Sequence, residues 1–515
     1  MVKRNKKRTF AFPYRKKMKE TSDSYSHVLK YTGIFGGVQG LNIIVSLVRN
    51  KLIAVILGPN GMGLASLFNT TVNFISQATT FGISFSAVKH VSELFERGDE
   101  AEIAHFVKVV RSWSLLTALL GMLVCVVAGP LLSDYTFAWG NHTLHFMLLA
   151  PAVGLLAITG GEMAILKGAR QLRSLAVIQI YNVLAALVIS LPIYYFFNQS
   201  GIVPVIVLMA LASMLLTIRH SYRLFPLRLR GSRGVLGEGM SMVRLGVAFV
   251  VAGVLGSGAE MLIRSYLNVV SGDLDVVGLY NAGYMLTITY AGMVFSAMET
   301  DYFPRLSSVN SDVVAANLTV NRQIEVSLLI VSPMLAALIT GLPILVPLLF
   351  SSKFLPMVAM AQVAVFAMYI KAISLPVSYM MLAKGDSVGY MALEAIDDVA
   401  LVLLIVFGYS HWGLQGTGLA LVLSYVFDIL LVGTYTYLRY HYRLSMQVLQ
   451  YAAIQFSLGI AVYIVTLVDD PLIYWSLGIL ICLASLLVSV CILHQKTSLW
   501  TALTNKLKNR FSRHA

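Results

Sequence analysis

Two stretches of this sequence place amides, hydroxyls and an arginine on one helical face within otherwise apolar runs. Gln39, Asn42, Ser46 and Arg49 recur at spacings of three and four, as do Asn69, Asn73, Gln77, Thr80 and Ser84. Ser257, Glu260, Arg264 and Asn268 repeat the habit further along. Residues at those spacings share one side of an α-helix. Carboxamides and hydroxyls both donate and accept hydrogen bonds, and a guanidinium presents a planar fork that matches phosphate or carboxylate. Together they suit a ligand rich in hydroxyls and bearing negative charge. Lipid cannot hydrogen-bond such groups, so a continuous polar face must line water or other protein. Single Ser, Thr or Asn residues also serve as glue between helices. Both readings apply to these faces, with the four- and five-residue stripes pointing to a hydrated cavity.

The charges inside apolar runs add further candidates. Arg49 and Lys51 lie two apart, on nearly opposite helix faces, and either side chain is long enough to reach toward headgroups. Arg49 continues its polar stripe; Lys51 does not. Arg264 has Glu260 four residues earlier, a spacing that suits a pair on one helix. An ion pair and a ligand contact both remain open there. Lys371 is central in one apolar run, and Asp397 and Asp398 are central in the next. A charge at the bilayer centre costs about 3 kcal/mol or more, so each needs water or a partner. A Lys–Asp pair across adjacent helices is the simplest arrangement, serving structure or a switch.

Elements that would position these residues follow from composition. The chain has 515 residues, 57% hydrophobic and 12% charged, about half the charge of ordinary soluble domains. That excludes a soluble multidomain enzyme, a disordered scaffold and a secreted disulfide module. A crossing helix needs about 20 largely apolar residues. About fourteen segments qualify, near 28–57, 62–88, 112–133, 143–166, 174–197, 201–219, 243–269, 277–303, 325–350, 357–383, 388–409, 413–438, 449–468 and 473–494. The runs are continuous and do not alternate, so the predicted fold is an all-α polytopic membrane protein.

Thirty-two of the 38 Lys and Arg fall in the two tails and in alternate connectors. The other connectors hold one, Lys353. This asymmetry predicts both termini in the cytoplasm, which requires an even number of crossings. It also accounts for the net charge of +14 without a nucleic-acid partner. The first residues, MVKRNKKRTFAFPYRKKMKE, lack the apolar core of a signal peptide and read as a retained basic tail. Cys125, Cys482 and Cys491 lie in apolar runs without CxxC spacing, so neither a disulfide nor a metal site is expected.

Residues 47–64, LVRNKLIAVILGPNGMGL, align with 262–279, LIRSYLNVVSGDLDVVGL, at a constant offset of 215. Arg49 and Gly63 then meet Arg264 and Gly278. The predicted organisation is a basic tail at 1–27 and a six-helix lobe at 28–220. A basic linker at 221–242, a second six-helix lobe at 243–440, two further helices at 441–495 and a basic tail at 496–515 complete it. Six is an even number, so the lobes enter the membrane in the same orientation, about an axis along its normal.

LGPNGMGL at 57–64 and FGISFSAVKHVSE at 81–93 resemble the start of Wzx-type O-antigen and related polysaccharide translocases of the MOP exporter superfamily. VGLYNAGYMLTITYAGMVFSAMETDYFPRLS at 277–307, LLFSSKF at 348–354, MLAKGD at 381–386 and GTGLA at 416–420 are similar to later landmarks of that family. The resemblance covers about residues 30–440. It implies two six-helix lobes around a cationic cavity and movement of an undecaprenyl-pyrophosphate-linked glycan from the cytoplasmic to the periplasmic leaflet by alternating access. An ion gradient is one candidate drive. The run LVRNKLIAVILG also resembles the first-span arginine segment of lipid II flippases, which implies a pyrophosphate contact for Arg49. The partners implied are the lipid-linked oligosaccharide, membrane lipids, and glycan polymerase and chain-length machinery, in a bacterial inner membrane. Helices 13 and 14 depart from the commonest twelve-span pattern.

Two other functions compete. A drug or cation antiporter would share the lobes but need fewer cavity cations and more accessible carboxylates. A membrane-embedded glycan polymerase or ligase should display a sizeable outward loop with catalytic Arg, His or Asp. The outward connectors here are short and nearly free of basic residues. No nucleotide loop, metal cluster or nucleophile triad stands out, so neither an enzyme nor a bound cofactor is expected.

Overall fold

Backbone amides cannot be left unpaired in lipid, so long apolar runs fold as helices. The computed structural model is helical without strands throughout its described residues. These are residues 22–98, 100–137, 141–226, 237 and 239–496, with the side chains of 22–40, 96, 100, 172, 241–249, 252 and 296–301 outside the description. Gln39 and most of the basic linker at 221–242 therefore lie outside the described side chains.

The first helix, α1 (Ser22–Thr79), makes two crossings joined at Gly58, whose φ of 66° suits a residue without Cβ. Pro59 follows and has no N–H to continue the helical ladder. Next come α2 (Ile83–Arg97), α3 (Glu100–Thr136), α4 (Thr143–Gly168), α5 (Leu172–Phe197) and α6 (Ile202–Leu224). The second half begins with α7 (Met240–Ser271). It continues through α8 (Leu274–Tyr284), a π turn at Met285–Tyr290 and α9 (Ala291–Ser308), which together form one crossing. After α10 (Val313–Leu349), the short α11 (Val358–Ala364) leads into α12 (Phe366–Ala383). α13 (Ser387–Tyr440) bends at Trp412 and Gly413 and so crosses twice. α14 (Met446–Val465) and α15 (Pro471–Lys496) finish the described chain. Counting the bent helices twice, the described residues make about 14 crossings. Among the described residues, eight stretches qualify as membrane spans by length and composition alone.

The second crossing ends earlier than its hydropathy predicts. Thr79 closes α1, and Phe81 and Gly82 both take positive φ, 48° and 64°. The expected span at 62–88 is thus a crossing to Thr79 plus a separate helix, and Ser84 belongs to the latter. α2 is 15 residues long, about 22 Å, which is short of the roughly 30 Å hydrocarbon core. Ile83, Ala87, Val91 and Leu94 recur on one face and are buried, while Phe85, Lys89 and Glu93 face outward. Ile83 and Ala87 pack with Val107, Val110 and Ile165, which pins α2 across α3 and α4.

Lipid contact explains the exposed apolar surface. Leu472, Leu480 and Leu487 along α15 are more than 60% exposed, which only an apolar surround makes tolerable. α14 and α15 pack on the second half of the chain through small residues. A Cβ on Gly478 would press on Thr340 and one on Gly459 on the Tyr369 ring, so helix axes approach closely there.

Outside the membrane, the MLAKGD turn is a capping device. Asp386 accepts from the Gly389 N–H at 2.9 Å, and from the hydroxyls of Tyr435 and Tyr440 at 2.6 and 2.5 Å. Those two hydroxyls, Tyr435 first, hold its carboxyl below the usual range. A lowered folded value means the stabilisation is complete above about pH 4 and is lost as pH falls through the folded pKa. Asp386→Asn should cost about 1 kcal/mol at pH 7, with the gap from the parent narrowing in thermal melts as pH falls below about 4. A gap independent of pH would show that the carboxylate charge is not its source.

Candidate functional site

A cavity of about 500 Å³ lies between the two halves of the chain. Its walls are Thr70, Asn73, Ser76 and Gln77 from α1, Thr80 just past its end, Ser84 from α2, Leu156 from α4, and Gly253, Ser257 and Glu260 from α7. The helical register of α1 dictates this wall, since Asn73, Gln77 and Thr80 follow one another on one face. Some hydroxyls are already occupied. Thr70 Oγ1 donates to the Ser66 carbonyl at 3.0 Å, and Ser257 Oγ to the Gly253 carbonyl at 2.7 Å. The Asn73 and Gln77 carboxamides and the Ser84 hydroxyl are exposed to the cavity, and no hydrogen bond to a described protein group is recorded for them. They are therefore available to water or to a polar ligand.

At the end of α1 nearest Gly58 the cavity is shut by backbone packing. A Cβ on Gly63 would collide with the carbonyl oxygen of Leu274 and stand 2.9 Å from the backbone nitrogen of Gly278. A Cβ on Gly278 would collide with the carbonyl oxygen of Pro59, 2.6 Å from its carbonyl carbon. Pro59 and Leu274, like Gly63 and Gly278, are 215 apart. The repeat read from the sequence thus meets itself: each arm's glycine rests on the other arm's turn, as two-fold related surfaces do.

Arg264 lies just beneath this contact and is 6% exposed. Its Nε donates to Ser66 Oγ at 2.8 Å, and one terminal nitrogen to Asn281 Oδ1 at 3.2 Å. The other terminal nitrogen donates to the Glu260 carbonyl at 3.0 Å and stands 3.5 Å from the Glu260 carboxylate. Ser66 Oγ in turn donates to Asn281 Oδ1 at 2.9 Å. Ser66 and Asn281 are themselves repeat-equivalent, again 215 apart.

Arg49, the equivalent of Arg264, is placed differently. It sits near Tyr194 and Tyr290, and its buried Nε has no hydrogen-bond partner among the described residues. Its neighbour Asn50 donates to the Tyr290 hydroxyl at 2.7 Å. Lys51 Nζ donates to the Pro347 carbonyl at 2.5 Å. Asn42 and Ser46 are half-buried on the first crossing and are not among the cavity-lining residues. Asn69 is exposed, donates to the Ala65 carbonyl at 2.7 Å, and also lies outside the lining. Of the residues singled out in the sequence, Asn73, Gln77, Thr80, Ser84, Ser257 and Glu260 come together at the cavity.

The charged residues of α12 and α13 form a second group. Lys371 is electrostatically coupled to Glu394 and Asp428, and its Nζ stands 5.7 Å from the centre of the Tyr425 ring. Asp397 accepts from Ser424 Oγ at 3.2 Å. Asp398 faces α7, 3.5 Å from where a Cβ on Gly256 would stand, and interacts with Glu260. Glu394 was not singled out in the sequence, although Glu394, Asp397 and Asp398 share a helix face at spacings of three and four. Ser66 and Asn281 carried no signal either, since each is a lone polar residue until the repeat offset is applied to both.

A family model described as polysaccharide biosynthesis protein matches residues 39–359. No curated protein matches the chain by sequence. Among solved structures, a lipid II flippase MurJ in an inward closed conformation is similar, with a TM-score of 0.69 and 13% identity, covering 90% of this chain and 99% of its own. A multidrug resistance MATE family transporter of the MOP superfamily, in an inward-facing conformation, superposes with a TM-score of 0.63 and 15% identity over 78% of this chain and 94% of its own. A MOP superfamily transporter from Pyrococcus furiosus gives 0.57 and 13% over 80% and 96%. At these identities the likeness establishes the fold.

Proposed function

Because the chain belongs to the polysaccharide biosynthesis protein family, we propose that it is a flippase. Its cargo is an undecaprenyl-pyrophosphate-linked oligosaccharide, an O-antigen or related surface-glycan repeat unit. It carries this cargo from the cytoplasmic to the periplasmic leaflet of a bacterial inner membrane by alternating access. One observation supports this most: a cavity walled by free carboxamides and hydroxyls lies inside a membrane bundle and is shut at one end by the Gly63–Gly278 contact. Each unpaired hydroxyl of a glycan costs several kcal/mol to bury in an apolar medium. Asn73, Gln77 and Ser84 replace the lost water for part of that head, while the lipid tail stays among acyl chains.

The basic asymmetry of the connectors supports both termini in the cytoplasm. The cavity runs from Thr70 toward Ser84, the end at which cargo would then enter. Arg49, with one nitrogen unbonded, is the proposed pyrophosphate contact by its likeness to lipid II flippases. Lys371, Asp397, Asp398 and Glu260 are the proposed groups for ion coupling or its structural support.

Deleting the gene should make undecaprenyl-linked glycan accumulate facing the cytoplasm, read by accessibility of the glycan in inverted and intact vesicles. A second reading, a drug or cation antiporter, draws support from the carboxylates of Glu394, Asp397, Asp398 and Asp428 grouped along α13. Unchanged lipid intermediates with increased drug sensitivity would select that reading.

A further inference from the structure

We infer that Arg264 is the latch of the gate that closes the cavity, and that Glu260 ties this latch to the cavity's contents. The inference concerns opening and closing and holds for any cargo. The gate surface is made of repeat-equivalent pairs, so its two arms must part together. The Gly63 and Gly278 backbones are in contact only while the halves are together. Backbone packing alone is short-ranged and would not hold a wide bundle shut. Arg264 supplies the directional part. Its guanidinium joins Ser66, from the first half of the chain, to Asn281 and Glu260, from the second.

A buried guanidinium is tolerated only while it is bonded and its charge is answered. Among the described residues the Glu260 carboxylate, at 3.5 Å, is the acid recorded as paired with it. Glu260 is also a cavity-lining residue, with its side chain 48% exposed. A ligand or ion that draws the Glu260 carboxylate into the cavity therefore leaves Arg264 with an unanswered charge at the closed gate. Opening the gate hydrates that charge, so occupancy of the cavity and opening are linked. Arg49 has the equivalent place in the other arm and makes no such bridge among the described residues. The gate is thus two-fold in its backbone contacts and one-sided in its latch.

The test uses the full chain in sealed vesicles, with Cys482 and Cys491 replaced by serine and Asn73→Cys as reporter. Buried Cys125 stays as the unfolding control. A membrane-impermeant maleimide is added at the face away from the chain ends. Arg264→Ala should raise reporter labelling from that face by roughly tenfold or more, and Glu260→Gln by several-fold, with Cys125 unlabelled. Ser66→Ala combined with Asn281→Ala removes the bridge while keeping the Arg264–Glu260 pair, and should also raise labelling. This double variant decides the matter should Arg264→Ala expose Cys125. Labelling within twofold of the parent in the folded latch variants would overturn the latch, and unchanged labelling in Glu260→Gln would overturn its link to the cavity. No cargo is needed, so failure here is distinguishable from failure of the flippase reading.

Discussion

Gly278→Val is expected to cut transport by about ten- to a hundredfold, while leaving the protein folded and in the membrane. The first atom of any side chain there would enter the carbonyl oxygen of Pro59. Neither partner can swing aside, because a Cβ is fixed directly by its own backbone and the carbonyl oxygen is a backbone atom. Overpacking of this kind typically costs about 1–3 kcal/mol, and here the closed state bears it, since parting the arms removes the collision. With roughly 1.4 kcal/mol for each factor of ten, the closed population falls by one to two orders of magnitude. Alternating access needs both states, so a cycle that cannot close one end loses turnover. Gly63→Val should behave alike from the other arm, where its Cβ would meet the Leu274 carbonyl. Gly433→Ala is the control. No atom lies within 4 Å of a Cβ at that position, so the change should be neutral or slightly stabilising. Glycan flipping in reconstituted vesicles measures all three, and normal transport by both valine variants would remove this contact from the cycle.

The second large effect is on stability. Arg111 Nε donates to Glu162 at 2.7 Å, and a terminal nitrogen reaches the other carboxylate oxygen at 3.3 Å. Ser221 Oγ donates to the same oxygen at 2.5 Å, and the guanidinium lies 4.2 Å above the Tyr222 ring. The side chains of Arg111 and Glu162 are 11% and 3% exposed. This cluster ties α3, α4 and α6 together. Glu162→Ala strands a buried cation and should lower the unfolding free energy by about 3–5 kcal/mol. Arg111→Met with Glu162→Met removes both charges and should cost clearly less than either single change. Thermal melts in detergent and the yield of inserted protein report the difference. A double variant less stable than both singles would mean that the pair contributes more than its mutual compensation.

Much of the architecture was legible because its causes are local. Apolar runs of crossing length have one backbone solution in lipid, and helical spacing assigns each polar residue to a face. Hence the many crossings and the Asn73–Gln77–Thr80 face could be read directly. The break at Phe81 and Gly82 escaped because the apolar run continues through it; only the positive φ of both residues separates α2 from the crossing. Glu394 was overlooked beside the more conspicuous Asp397–Asp398 pair, although its spacing was visible. Arg49 and Arg264 hold equivalent repeat positions, and although Glu260 four residues before Arg264 set the two apart, nothing local showed that Arg264 would reach Ser66 and Asn281.

On its own, then, the sequence determined an all-helical membrane chain with a repeated arginine–glycine arm and polar helix faces, because hydropathy, periodicity and offset act within one segment. Only the tertiary structure decided which arginine bonds Ser66 and Asn281, which acids gather near Lys371, and at which end the cavity is shut. Those choices join residues up to 215 positions apart, as Ser66 and Asn281 are. They depend on how helices from both halves pack, a relation that no single segment carries.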